Sequence, residues 1–214
     1  MLTIWGRRNS INVQKAMWAV GEVGVPHERI DAGGEFGGLD TPEFAALNPN
    51  RRVPVLRDGD TVVWESNAII RYLAAKYGAG TLWNPDPGAR AQADIWMAWT
   101  QTTAYREFID LFWGFVRTPP EQRDMDAMRA ANERLVKHLE LLDRHLGDQP
   151  YLAGETFTMG DIPVGALLYR YFAMEFDRPA LPHLMSWYAR LGERPAYQAH
   201  VAIPFPELWG RLDF

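Results

Sequence analysis

The chain has 214 residues, of which 47% are hydrophobic and 23% charged, with a formal net charge of −5, which is typical of one large or two small globular domains. The cysteine count is zero, so disulfides, cysteine–zinc sites and a cysteine nucleophile are excluded. The acidic balance of charges disfavours nucleic-acid binding. The sequence shows no signal-peptide pattern and no run of roughly 18 consecutive apolar residues. These features predict a cytoplasmic protein without a membrane partner.

The first third of the chain mixes strand and helix patterns. Residues 53–56 and 61–64 are β-type runs, and the Asp58-Gly59 pair between them indicates a hairpin. The other predicted elements are strands at 2–5 and 25–31, helices at 12–24, 42–47 and 66–77, and a glycine-rich loop at 33–38. Residues 1–77 therefore form a compact α/β unit of order β-α-β-α-β-β-α.

The remainder of the chain is predicted to be helical. Residues 78–88 contain three glycines and two prolines and are interpreted as a linker. Helical periodicity then returns at 89–116, 123–146, 158–173, 181–192 and 195–201. We expect an all-α second domain over residues 89–214.

A polar turn joins the first strand to the first helix. Asn9, Ser10 and Asn12 lie where open backbone N–H groups and the positive end of the helix dipole favour an anion. A hydroxyl there can donate to a thiolate, an oxyanion or a phosphate. The alternative is that Ser10 or Asn12 only caps the helix.

A proline beside a short strand is the second unusual feature. Pro54 indicates either a position at the edge of the sheet or a cis Val53–Pro54 bond. A cis bond would turn the Val53 backbone outward, toward a peptide-like ligand bound as an added strand. The alternative is an ordinary edge-strand proline.

An acid and a hydroxyl follow the last strand of the first unit. Glu65 suits a ligand ammonium, and Ser66 with free N–H groups suits a ligand carboxylate, so together they could recognise an amino-acid head group. The alternative is Ser66 as a helix cap beside a solvated Glu65. Four nearby arginines favour an anionic ligand, unless they are surface residues without function. They are Arg7, Arg8, Arg51 and Arg52.

The motif at residues 157–162 is interpreted as structural. Thr158 and Asp161 have the spacing of a capping box, and Phe157 and Ile162 stand at the hydrophobic-staple positions. The five histidines show no metal-ligand spacing, and there is no nucleotide-binding loop, so no metal is expected. The tryptophans are interpreted mainly as core or interdomain packing, but some aromatic residues of the first long helix of the second domain could also line an apolar pocket. They are Trp96, Trp99, Tyr105, Phe108 and Trp113.

Taken together and in this order, these pieces resemble a cytosolic glutathione S-transferase of bacterial type over nearly the whole chain. The matching segments are Ser10-x-Asn12, 48–56, 65–73 and 157–162. The resemblance implies a thioredoxin-like N-terminal domain that binds glutathione, an all-helical C-terminal domain and a homodimer. It also implies catalysis without a metal, on a small hydrophobic electrophile.

The resemblance also implies roles for individual residues. Ser10, helped by Asn12, would act on the glutathione thiol, with Asn9 as a rival donor. Val53, before a cis Pro54, would pair with the cysteinyl backbone. The residues expected to hold the charged ends are Glu65, Ser66 and Arg52, and those expected to contact the electrophile are Arg7, Tyr105, Trp113 and Trp209.

The sequence departs from the family pattern in places. Ser10 stands where other members use Tyr or Cys, Arg51 where Gly is common, and Arg52 where Lys is usual. We expect a glutathione transferase. The alternatives are a glutathione-dependent peroxide or disulfide reductase, and a non-catalytic binding or regulatory protein of the same fold.

Overall fold

The computed structural model describes residues 1–212 and divides them into two compact units. The first unit contains Met1–Pro85 and Pro195–Ile203, and the second contains Asp86–Arg194 and residues 204–212. The sequence placed 195–201 in the helical domain, so the division differs from the prediction there. Asp213 and Phe214, the last residues of that domain, lie outside the described residues. Within 1–212, no helix is long and apolar enough to cross a membrane.

A four-stranded mixed sheet forms the centre of the first unit. Its strands are β1 (Leu2–Trp5), β2 (His27–Ile30), β3 (Val55–Asp58) and β4 (Thr61–Trp64). The strand order is β2-β1-β3-β4, with β2 parallel to β1 and the other pairs antiparallel. The predicted order of elements is confirmed. The hairpin is tighter than expected, because Asp58 pairs with Thr61 and Gly59, at φ +59°, begins a two-residue loop.

Three α-helices within residues 1–85 accompany the sheet in the first unit: α1 (Ile11–Val23), α2 (Pro42–Leu47) and α3 (Ser66–Tyr77). Helix α1 packs against α3, and both bury apolar side chains at helical spacing. The fully buried side chains include Val13, Val20, Ile69 and Leu73. Phe44 of α2 joins a separate buried cluster with Ala32 and Val55.

One carboxylate ties the hairpin to α3. Asp58 Oδ2 accepts from Tyr77 Oη at 2.6 Å, Tyr72 Oη at 2.8 Å and Lys76 Nζ at 2.6 Å. Burial opposes ionisation, but the hydrogen bonds from Lys76, Tyr77 and Tyr72 outweigh it and lower the pKa of Asp58 to about 2. The ionised carboxylate therefore stabilises this corner of the unit.

Helix α9 (Pro195–His200) packs on α1, which explains why it belongs to the first unit. A Cβ at Gly21 would lie 2.8 Å from Ala196 Cβ, so the close approach of the two helices requires glycine there. Trp18 meets Tyr197 edge-on at 4.8 Å between ring centroids. Helical periodicity alone could not tell which domain this apolar face covers.

The second unit contains five helices: α4 (Pro87–Trp99), α5 (Tyr105–Phe112), α6 (Met125–His145), α7 (Asp161–Phe172) and α8 (Pro182–Gly192). The predicted helix at 89–116 is interrupted by π-helical turns at Thr100–Ala104 and Trp113–Arg117. Such turns insert a residue into the helix and rotate the side chains that follow. Nearly all of α7 is buried, as expected for the central helix of a bundle.

The predicted capping box forms in one direction only, because Thr158 Oγ1 accepts from Gly160 N at 3.2 Å and the N-cap residue of α7 is Gly160, without a side-chain cap. Asp161, the first residue of α7, makes the other half and further bonds. Its carboxylate accepts from the Thr158 backbone N–H at 2.9 Å, which is the reciprocal half of the box. The same side chain is fully buried and accepts from Leu152 N at 3.0 Å and Trp187 Nε1 at 2.9 Å. Asp161 therefore joins the start of α7 to α8 and to the preceding loop.

Candidate functional site

The strand register brings three separate polar segments to one end of the sheet. Trp5 pairs with Val55, and Val55 pairs with Trp64. The turn that leads to Ser10 follows Trp5 directly, Val53 lies just before Val55, and Glu65 follows Trp64. Because β3 is antiparallel to both neighbours, the end of β1, the start of β3 and the end of β4 lie side by side at one end of the sheet.

The first segment presents Ser10 at the start of α1. Ser10 is the N-cap residue, at φ −81° and ψ 123°, and its side chain makes no capping hydrogen bond. The prediction that Ser10 caps the helix is therefore wrong, and its hydroxyl is not committed to the helix end. The turn is held by backbone bonds from Gly6 N to Ile30 O at 2.9 Å and from Arg7 N to Ala32 O at 3.0 Å. Asn9 is half-buried in the same turn.

The second segment contains a cis peptide bond between Val53 and Pro54, as one sequence interpretation predicted. The predicted strand at 53–56 begins instead at Val55, so Val53 lies outside the paired ladder. Asn48 Nδ2 donates to Arg52 O at 2.8 Å and fixes the loop that precedes Val53. A Cβ at Gly6 would lie 2.4 Å from Val13 Cγ2 and 3.2 Å from Val53 Cβ, so this approach requires glycine.

Two consecutive arginines, Arg51 and Arg52, carry the positive charge of this loop. Arg51 adopts φ +51° and lies 3.5 Å from the Asp40 carboxylate, with both side chains largely exposed. An exposed pair of this kind contributes little to stability. Arg52 is also exposed, and among residues 1–212 no carboxylate forms an ion pair with it.

The third segment contains Glu65 and Ser66. Glu65 is the N-cap residue of α3 with φ +69°, a left-handed conformation that non-glycine residues seldom adopt outside functional sites. Ser66 is the first residue of the helix, so the prediction that it is the cap is wrong. Its Oγ donates to Asn12 Oδ1 at 3.3 Å and joins the starts of α3 and α1. Asn12 therefore supports Ser66.

A buried lysine, which sequence analysis missed, lies behind these residues. Lys15 is 2% exposed and stands one helical turn after Asn12 on α1. Burial lowers the pKa of Lys15 to about 8, and the nearby Glu65 charge opposes that shift. Its only signal in the sequence is a charged residue within an apolar helical stripe. Its ammonium interacts electrostatically with the Glu65 carboxylate.

Arg7 lies on the other side of the first turn, near the glycine-rich loop. Burial lowers the pKa of Arg7, and the Glu35 charge opposes that shift. The position of a Cβ on Gly33 would be 3.4 Å from Arg7 Nη1. This loop thus packs against Arg7 within the first unit.

The three aromatic candidates lie in the second unit. Tyr105 begins α5 and packs near Phe108, at 6.3 Å between centroids. Trp113 opens the second π-helical turn and lies under the Arg117 guanidinium, 4.8 Å from the ring centroid. Trp209 packs against Phe115 of the same turn at 5.7 Å, which adds Phe115 to the predicted set.

These aromatic residues present apolar surface. Trp113 and Trp209 are 41% and 40% exposed, a large fraction for residues of this size. Tyr105 follows the first π-helical turn directly, and Trp113 begins the second. Within residues 1–212, no group of three or more histidine, aspartate or glutamate side chains is placed to hold a metal ion.

A mixed β2-β1-β3-β4 sheet with a cis-proline before β3, joined to a helical bundle, defines the class of glutathione-transferase-like proteins. Residues 1–75 match a family model described as glutathione S-transferase, N-terminal domain. Residues 125–190 match one described as glutathione S-transferase, C-terminal domain. The chain belongs to the glutathione S-transferase family.

Individual relatives agree with this assignment. Glutathione S-transferase GstB of Escherichia coli (strain K12) is 42% identical over 206 residues, covering 95% of this chain and 99% of that protein. Glutathione S-transferase 3 of Zea mays is 33% identical, covering 96% of each. A theta class glutathione S-transferase from Xanthomonas axonopodis pv. citri, solved with glutathione bound, matches at 53% identity and a TM-score of 0.91, covering 95% of this chain and 98% of its own.

Proposed function

We propose that this glutathione S-transferase binds glutathione across the sheet end and uses Ser10 to stabilise the thiolate for attack on a hydrophobic electrophile. The observation that carries the proposal is the register Trp5–Val55–Trp64. This register brings together the Ser10 hydroxyl at the start of α1, the Val53 backbone outside the ladder, and the Glu65–Ser66 pair at the start of α3. A peptide with charged ends and a central thiol is complementary to that row.

The two ends and the backbone of glutathione would be recognised separately. Glu65 accepts from the ligand ammonium, and Ser66 with the N–H groups at the start of α3 binds the γ-glutamyl carboxylate. The Val53 backbone, outside the ladder, pairs with the cysteinyl residue as an added strand. Arg52, which has no ion pair within residues 1–212, binds the second carboxylate.

Thiolate stabilisation then falls to the start of α1. A free thiol has a pKa of about 8.5, and lowering it by about two units requires about 2.7 kcal/mol of preferential stabilisation. One hydrogen bond to a charged acceptor supplies about 1.5–3 kcal/mol, and the helix dipole adds roughly 0.3–1. Ser10 Oγ therefore suffices as the donor, with no metal in the mechanism.

The two asparagines near Ser10, Asn9 and Asn12, have different roles in this proposal. Because the Asn12 carboxamide oxygen accepts from Ser66, its contribution to the thiol is indirect, through the placement of α1 against α3. Asn9 is half-buried beside Ser10 and remains the rival donor. The thiolate attacks an electrophilic carbon, forming a C–S bond while the leaving group departs with the bonding pair.

The electrophile would be held by aromatic surface of the second unit. Trp113 and Trp209 offer exposed rings, Phe115 packs against Trp209, and Tyr105 adds a hydroxyl. A homodimer, which is usual in this family, is part of the proposal.

The test is binding followed by turnover. Calorimetry should give saturable glutathione binding that weakens about tenfold in Arg52→Met and not in Arg129→Met, an exposed arginine on α6. Turnover of chloronitrobenzene-type electrophiles supports the transferase. Turnover of peroxides or disulfides alone favours the reductase, and binding without any turnover favours a binding protein. Failure to bind glutathione refutes the proposal.

A further inference from the structure

A second polar cavity lies in the first unit, between α1, β2 and α9. Its volume is about 260 Å³, and its lining does not include Ser10, Val53 or Glu65, although Arg8 lies two residues before Ser10 in the same turn. Four of its nine lining residues carry basic side chains. They are Arg8, His27, Arg29 and His200. Val13, Met17 and Ile203 add apolar walls.

The basic groups are held close together with little compensating negative charge. The His27 and His200 rings lie 6.2 Å apart between centroids, in an edge-to-face arrangement. Arg29 is anchored by a bond to Gly6 O at 2.7 Å and by an ion pair with Asp31. No carboxylate among the lining residues balances the others, and no residue within 1–212 forms an ion pair with Arg8.

The surroundings of His200 in this basic cluster lower its pKa. Burial lowers the pKa of His200, and the positive groups of His27, Arg8 and Arg29 lower it further. From α1, the ring meets the Gly21 backbone, because a Cβ there would lie 3.0 Å from His200 Cδ2. The one carboxylate on α1, Glu22, accepts from Trp18 Nε1 at 2.8 Å. Asp31, just after β2, is paired with Arg29, and Glu28 stands between His27 and Arg29 on that strand.

Clustered cations around a partly enclosed cavity are unfavourable when the cavity holds only water, and they become favourable around an anion. Two imidazoles and a guanidinium that line one cavity supply hydrogen-bond donors for a tetrahedral oxyanion. We propose that this cavity binds a phosphate-class oxyanion, at a site separate from the one proposed for glutathione. Binding draws a proton onto His200, so affinity increases as pH falls through the imidazole range.

The experiment uses sulfate, which stays a dianion across this range, with the full-length protein. Histidine ring resonances are followed by NMR between about pH 5 and about pH 8, in sulfate and in chloride of equal ionic strength. His200→Asn assigns the resonance. We expect saturable shifts and a His200 pKa raised by about one unit in sulfate, and the same for inorganic phosphate.

Arg8→Gln tests the site directly, because Arg8 is exposed and its replacement leaves the packing of the first unit intact. Sulfate binding should weaken about tenfold in this variant and stay unchanged in the matched Arg129→Gln control. A His200 pKa equal in sulfate and chloride overturns the proposal, as does unaltered binding in Arg8→Gln. Displacement of sulfate by glutathione would assign the cavity to the glutathione site and also overturn it. A protein that binds sulfate but not glutathione would refute only the proposed function.

Discussion

Replacing Asp161 tests how the second unit is held together. Its Oδ1 accepts from Leu152 N at 3.0 Å and Trp187 Nε1 at 2.9 Å, and its Oδ2 accepts from Thr158 N at 2.9 Å and Thr158 Oγ1 at 3.3 Å. The side chain is fully buried. Asp161→Ala leaves these donors without their acceptor, and those of Leu152 and Trp187 are buried away from water. The perturbation is therefore the loss of a buried network.

The magnitude follows from the donors left behind. Each buried donor deprived of its acceptor costs about 1–3 kcal/mol, and three N–H groups are affected. Part of that cost is recovered by relaxation, so we expect the free energy of unfolding to fall by about 3–5 kcal/mol. Loss of a helix cap alone would cost only about 1 kcal/mol. The loss expected for a buried network exceeds the loss expected for a helix cap by more than the error of a denaturation experiment.

Urea unfolding followed by circular dichroism measures the difference, with Asp148→Ala as the matched control because Asp148 is an exposed carboxylate nearby. The control should stay within about 0.5 kcal/mol of the parent protein. The double variant with Trp187→Phe should show coupling of about 1 kcal/mol or more, since both changes remove the same bond. A loss near 1 kcal/mol in Asp161→Ala, with an unchanged denaturant slope, would refute the buried-network reasoning.

Three further predictions concern other parts of the chain. Asp58→Asn should lower stability at neutral pH by about 2 kcal/mol, because a folded pKa of about 2 lies below the ordinary 3.8. That contribution is complete above about pH 4 and disappears as pH falls through about 2, so acid unfolding of parent and variant should converge there. Arg52→Met should weaken glutathione binding about tenfold by calorimetry, and an unchanged affinity would remove Arg52 from the site. Trp113→Ala should raise the KM for a hydrophobic electrophile about tenfold with the KM for glutathione within about twofold; equal effects on both would contradict its assignment.

Most of the first unit could be predicted because its signals are local. Alternating and helical periodicities, the Asp58-Gly59 turn and Pro42 at a helix start each depend on neighbours in sequence. The order of elements followed from them. The helix at 89–116 was drawn as continuous because a π-helical turn keeps the same apolar composition, and only the hydrogen-bond pattern distinguishes it.

The contacts of the candidate site depend on the register, which the sequence does not reveal. The alternative given for Ser66 is a cap on its own helix, but its hydroxyl donates to Asn12, 54 positions earlier. Ser10 likewise leaves its helix uncapped. In both cases a local rule failed at a residue proposed to meet the ligand, which is where local rules are expected to give way. Lys15 was missed because burial of its charge depends on the packing of α1 against α3.

The cysteine count of zero also constrains the source of the reactive sulfur. A member of this family without a cysteine must receive its reactive sulfur from the cosubstrate, and a mixed disulfide with the protein is impossible. The central claim is therefore that Ser10 stabilises a thiolate that belongs to glutathione.

The most direct test is titration of the bound thiol by its ultraviolet absorbance in the parent protein and in Ser10→Ala. The account predicts a bound-thiol pKa about two units below the free value of about 8.5, and a rise of about one to two units on removal of the hydroxyl. Asn9→Ala serves as the matched control and should leave the titration in place. An unchanged titration in Ser10→Ala, or a rise in Asn9→Ala instead, would contradict the account.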